Sequence, residues 1–182
     1  LGNSTVGGNL AVTASGNITE SGALTVAGTS IFTIDTATLA NVLLDNPVNN
    51  LAGAVTIATT NDGTVQDINL RNINPGAAIA SLPATARNLT IFFDNAPVVL
   101  PAITLTGYVD ITAGGATAAG VAISQTGVLT VADTSTFTVR TVQQADVLLA
   151  DYSNNLAGAV TITTSNGGTI RDVALRNINT SA

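Results

Sequence analysis

Histidine, cysteine, lysine, methionine and tryptophan are all missing from this 182-residue chain. Without His or Cys there is no conventional Ser-His-Asp or Cys-His arrangement, no zinc site of the usual nitrogen and sulfur kind, and no disulfide. Without Lys or His, a pair of carboxylates would have neither a substrate clamp nor an acid/base partner beside it. No phosphate-binding or dinucleotide fingerprint is present either, so no catalytic residue, cofactor or metal is expected and the chain does not read as an enzyme. Aromatic surface is scarce, two Tyr and four Phe, which leaves little on which sugars could stack. The eleven acidic groups against five Arg give a net charge of −6, which argues against nucleic acid and against an anionic membrane surface. No apolar run reaches the roughly 18–20 residues that a membrane span needs, so insertion is not expected. The chain starts at Leu1 with no visible signal peptide and reads as a piece of something longer.

What is abundant is Thr, Asn, Gly and Ala. β-Branched and small polar residues suit strands and tight turns, whereas the long helix formers are scarce or missing. The expected class is therefore all-β. Alternation of apolar and polar residues is clear in NLAVTA, ALTVAG, SIFTI, GAVTI, DINLR, NLTIF, YVDIT, VLTVA, STFTV and DVALR. Between them lie Gly, Asn-Asn, Asn-Pro and Asn-Asp-Gly, which supply turns.

One module is written twice. NNLAGAVTI occurs at Asn49–Ile57 and again at Asn154–Ile162, an offset of 105 (154 − 49), and Ala40–Asn74 matches Ala145–Asn179 at 23 of 35 positions. Nearer the start, GNLAVTASG at Gly8–Gly16 resembles GYVDITAGG at Gly107–Gly115 with an offset of 99 (107 − 8). Gly107 follows the end of the first LRNIN, Asn74, at a spacing of 33 (107 − 74). With Ala182 joined to Leu1, the second LRNIN is followed by Gly8 after only 11 (182 − 179 + 8). The difference of 22 is about one coil of a β-solenoid, a fold in which each coil touches only its neighbours and a whole coil is the cheapest insertion. The expectation is a single parallel β-helix segment over 1–182 of about eight coils, with no cap at either end. It would be one period of a tandem or head-to-tail array, with half-repeats of about 8–106 and 107–182, the latter continuing into 1–7 of the next unit.

GNLAVTASGNITESGALTVAGT, VLLDNPVNNLAGAVTI and VQDINLRNIN resemble the repeats of filamentous-haemagglutinin-type exoproteins and other giant bacterial surface adhesins. The resemblance covers nearly all of the chain except the less regular Pro75–Pro101. It implies a right-handed parallel β-helix, export to the cell surface or beyond, and adhesion or scaffolding in an extended fibre. The general right-handed crossover preference points the same way.

The candidate residues follow from that architecture. Val55, Ile57, Ile68 and Leu70, with their copies Val160, Ile162, Val173 and Leu175, are expected inside. Asp67 with Arg71, and Asp172 with Arg176, lie an even number of residues apart and so share the outward face. A surface ion pair is the favoured role for each, an anion or glycan contact by Arg71 and Arg176 the other. Asn49, Asn50, Asn72 and Asn74, with Asn154, Asn155, Asn177 and Asn179, recur beside turns and would stack as ladders. Sequons at Asn3, Asn17, Asn88 and Asn179 can carry glycans where the source glycosylates exported proteins. Asp45, Asp62, Asp67, Asp110, Asp146, Asp151 and Asp172 are scattered, and solvated charges are the plain reading. The leading expectation is a structural unit of an extracellular filament or surface adhesin whose partners are further copies of itself, and glycans or cell-surface components as adhesion targets. A carbohydrate-active or glycan-binding β-helix is the alternative, marked by a groove carrying clustered Asp, Arg71 or Tyr108.

Overall fold

Alternating apolar and β-branched residues become strands throughout the computed structural model, which describes residues 1–180 and contains no helix among them. Coil by coil, the strands are β1 (Ser4–Val6), β2 (Leu10–Ala14) and β3 (Ile18–Thr19); β4 (Leu24–Val26), β5 (Ser30–Asp35) and β6 (Leu39–Leu44); β7 (Asn50–Leu51), β8 (Val55–Thr60) and β9 (Thr64–Asn72). Then follow β10 (Ile79–Ser81) and β11 (Thr85–Phe93); β12 (Val98–Leu100), β13 (Ile103–Leu105) and β14 (Val109–Ala113); β15 (Val121–Gln125), β16 (Leu129–Val131) and β17 (Ser135–Val139). The last coil holds β18 (Gln144–Leu156) and β19 (Val160–Thr164), and β20 (Thr169–Asn177) opens the next one against β18.

Every strand pairing is parallel, and each strand pairs with the strand one coil away, which makes the fold a parallel β-solenoid. One long ladder runs β3–β6–β9–β11–β14–β17–β19, about six full turns and on the order of 30 Å at the usual strand spacing. Six replaces the eight coils expected from a uniform coil of about 22. The steps along this ladder vary from 20 (Leu89 to Val109, 109 − 89) to 26 (Val42 to Ile68, 68 − 42), and the stretches before Ile18 and after Thr164 add only partial turns. A second long face carries β2–β5–β8–β10 and continues past β12 through β15 and β18 to β20.

The core is one continuous cluster of side chains along the axis. Phe32, Ile34, Val42, Leu44, Ile68, Leu89, Ile91, Phe93, Val98, Ile111, Phe137, Val147 and Leu156 are completely buried. Alternation supplies them directly: β5 buries Ser30, Phe32 and Ile34 and turns Ile31, Thr33 and Asp35 outward. Turns sit where expected. Asn61 and Asp62 between β8 and β9, and Asn166 and Gly167 between β19 and β20, all take positive φ, which Asn, Asp and Gly tolerate. Within Pro75–Pro101 β11 is a full-length strand that buries Ala86, Leu89, Ile91 and Phe93, whereas β10 is short, largely exposed and interrupted by a shift of register.

The two copies of the module do not stack face on face. At the offset of 105, β5 corresponds to β17, β8 to β19 and β9 to β20. Yet β9 shares its ladder with β17 and β19, whereas β20 lies on the face that β5 and β8 began. Equivalent strands have exchanged the two long faces. The second half-repeat is thus half a turn out of phase with the first about the solenoid axis.

Candidate functional site

Among the described residues, polar side chains bond one coil to the next. The inward asparagines show this first. Asn72, fully buried, accepts the Leu51 N–H on Oδ1 at 3.0 Å and donates Nδ2 to the Leu51 carbonyl at 2.8 Å, which imitates a backbone bridge between coils. Asn177 treats Leu156 identically, at 3.0 and 2.9 Å. Asn49 and Asn154 accept the N–H groups of Leu24 and Leu129 at 2.8 and 3.0 Å. Asn74 and Asn179 each donate to the partner one coil back, Asn50 and Asn155, at 2.6 Å. All eight asparagines singled out from the sequence therefore take part in inter-coil bonds.

Beneath Asn49 sits Glu20, which the sequence pattern does not single out. Its carboxylate accepts Asn49 Nδ2 at 2.8 and 3.0 Å and the Asn46 N–H. Burial pushes its pKa up, opposed by these bonds. The equivalent residue at 105 further on is Gln125, whose amide exchanges two 2.9 Å bonds with Asn154. The signal was present in the repeat: an acid opposite an isosteric amide marks a site where a neutral group suffices.

The charged pairs depart from expectation. Asp67 and Arg71 both face outward on β9 but do not meet, since four strand residues span roughly 13 Å whereas successive coils lie about 4.8 Å apart. Each pairs across coils instead. Asp67 takes a bidentate Arg87 at 2.9 and 2.5 Å, which holds its carboxyl below the usual range, and Arg71 is bidentate to Asp94 at 3.0 and 2.9 Å. Arg140 reaches the same Asp94 from the other side at 3.3 Å, and both arginines lie over the Phe92 ring, 4.5 and 5.3 Å from its centre. In the second copy Asp172 pairs with its neighbour Arg171, at 3.6 Å, while Arg171 is bidentate to Asp146 at 2.8 and 2.5 Å. Among the described residues Arg176 has no ion-pair partner. Asp110, half-buried on the outward side of β14, has its pKa raised by burial. No group of three acidic side chains converges as a metal site would require among the described residues.

The expected core positions divide by layer. Val55, Ile57, Ile68 and Leu70 are buried, Val160, Ile162 and Leu175 are half-buried, and Val173 is 51% exposed. Val173 is the exception to its expected burial because β20 is the last described layer and has a neighbour, β18, on one side only. At the sequons, the Asn3, Asn17 and Asn88 side chains accept the N–H groups of Ala23, Asn41 and Tyr108, and Asn88 Nδ2, the atom a glycan would take, donates to Asp67. Tyr108 is 38% exposed next to a shallow groove of about 320 Å³ lined by Leu39, Val65, Ala86, Arg87 and Thr106. Outward threonines align for only short distances: the row Thr163–Thr138–Thr112 continues into Phe92 and Arg71.

Parallel coils, one continuous core and side chains that lock coil to coil define a β-solenoid repeat protein. The chain belongs to a family described as repeats of unknown function (DUF5649), matched over residues 1–58 and 86–163. No curated protein and no solved structure matches it.

Proposed function

We propose that the chain is a structural repeat unit of an extracellular filament or giant secreted surface adhesin, in which coils stack end to end into a continuous β-helical fibre. The observation that carries this reading is the use of the same coil layer twice within one unbroken core, with polar side chains committed to coil-to-coil bonds. The resemblance of its motifs to surface exoproteins supports export, and adhesion targets would be glycans or other cell-surface components. A glycan-binding module is the competing reading, favoured by the groove beside Tyr108. That groove is mostly apolar and its Arg87 is already engaged by Asp67, which suits packing better than sugar recognition.

Electron microscopy and protease shaving of cells that make the protein test the proposal together. Fibres that shed these residues on brief external proteolysis are the expected result. Recovery of the chain only from inside intact cells would overturn the extracellular assignment, and saturable binding to a glycan array without any fibre would favour the competing reading.

A further inference from the structure

Within the chain, one copy of a layer is covered and the other is open, so the chain itself shows what a cover does. β9 lies under β11, which brings Arg87 and Asn88 to Asp67 and leaves Ile68 and Leu70 at 0% and 1% exposure. Among the described residues its equivalent β20 pairs with β18 alone. Asp172 is 72% exposed, Arg176 lacks the acid that Arg71 finds in Asp94, and Val173 is 51% exposed.

The first coil shows the complementary feature. A corner recurs in which an Asn side chain accepts the N–H of the residue after a glycine one coil on: Asn3 with Ala23, Asn9 with Thr29, Asn88 with Tyr108. At the glycines concerned, Gly22, Gly28 and Gly107, a Cβ would strike that same Asn side chain and displace it from its bond. Gly8 is the counterpart of Gly107 at the offset of 99, yet nothing lies within 4 Å of where its Cβ would be. Its φ is not positive either, so a single chain gives no reason for glycine there.

The geometry points to a second copy of the chain as the cover of β20, with Gly8–Ala14 of that copy lying over Arg171–Asn177. This rests on the structural-repeat reading above and adds to it a register. The register is the one β14 makes on β11 and β11 makes on β9. Leu10 of the second copy falls on Val173, Val12 on Leu175 and Ala14 on Asn177, all facing inward. The Asn9 N–H of the second copy donates to the Asp172 carboxylate, as Tyr108 does to Asn88, and Gly8 leaves the room. β2 of the second copy then lies on the face that β2 of the first began. The exchange of faces is thereby undone, and successive copies run in phase.

The absence of native cysteine makes the register readable by cross-linking. In Thr13→Cys with Arg176→Cys the two thiols are directly opposite across the junction, whereas Ala11→Cys with Arg176→Cys displaces them by two positions, beyond the roughly 7 Å Cα separation that a disulfide tolerates. On oxidation of concentrated protein, the first pair should give a ladder of dimers and higher multimers and the displaced pair at least tenfold less. Gly8→Ala added to the first pair should suppress the ladder tenfold or more without moving the thermal midpoint of the dilute monomer. Equal ladders from both pairs, or one indifferent to Gly8→Ala, would overturn this register while leaving end-to-end stacking in place. A chain that sediments as a monomer at every concentration and never cross-links would sink both.

Discussion

At the scale of single residues, the repeat supplies its own controls. Glu20 and Gln125 occupy equivalent places under Asn49 and Asn154, one ionisable and one not. A carboxyl whose folded pKa lies above its usual 4.5 contributes stability that is fully present below 4.5 and is lost as pH rises through the raised folded value. Glu20→Gln should therefore be more stable than the parent at neutral pH, and the gap should shrink as pH falls towards 4.5. Urea unfolding at several pH values measures the difference; a gap that is constant with pH would contradict burial of the carboxylate as its cause. Ser30 and Ser135, also equivalent, are buried hydroxyls without a hydrogen-bond partner among the described residues. Leaving such a group unsatisfied costs roughly 1–3 kcal/mol, so Ser30→Ala and Ser135→Ala should each raise stability by about 1 kcal/mol. A loss of stability in either variant would mean that the hydroxyl is bonded after all.

At the scale of the strand and its ladder, identical residues should differ in worth according to what lies above and below them. Asn72 is sealed beneath β11, whereas Asn177 belongs to the last described strand and is only half-buried. Asn72→Ala strands the Leu51 N–H and carbonyl in the interior and should cost roughly 3 kcal/mol, while Asn177→Ala, whose freed groups reach water, should cost about 1. Equal losses in denaturant titrations would argue that the two layers are equally protected. Phe32 and Phe137 are fully buried equivalents in strands covered on both sides, and truncating either to Ala should cost about 3–5 kcal/mol. The ion pairs belong to this scale as well. Arg71–Asp94, Arg87–Asp67 and Arg171–Asp146 each tie one coil to the next, because a strand extends too far for a residue to reach its own neighbour four places on.

Over the whole molecule, stability should be graded along the axis rather than uniform. Each coil rests on its two neighbours, so a solenoid behaves nearly as a one-dimensional stack. The interior strands β4–β6, β8, β9, β11, β14 and β17 bury their inward residues, while β2, β10, β19 and β20 leave theirs half-buried or exposed. Native-state hydrogen exchange should therefore show slow amides in β5, β9, β11, β14 and β17 and much faster ones in β2, β3, β19 and β20. Uniform protection from end to end would show that both ends are covered in solution. The exchange of faces has a consequence at this scale too: Arg71 and Arg176 stand on different faces, so a fibre of such modules displays each outward feature alternately on its two sides.

The sequence by itself determined the class, the strands and the inside of the molecule. Period-two alternation fixes which of Val55, Thr56 and Ile57 points inward, and Asn-Asp-Gly and Asn-Gly-Gly fix the turns, because both are local properties of the backbone and its side chains. It also revealed the module and the extra length between its copies, since repetition is written in the order of residues. Which side chains meet across coils was decided only by the tertiary structure. Coil steps vary from 19 (Thr85 to Thr104) to 26 (Val42 to Ile68), so no fixed offset leads from Arg71 to Asp94 or from Asp67 to Arg87. The half-turn between the two copies was equally out of reach, because the phase of a coil about the axis accumulates over the whole chain and appears in no short stretch of it.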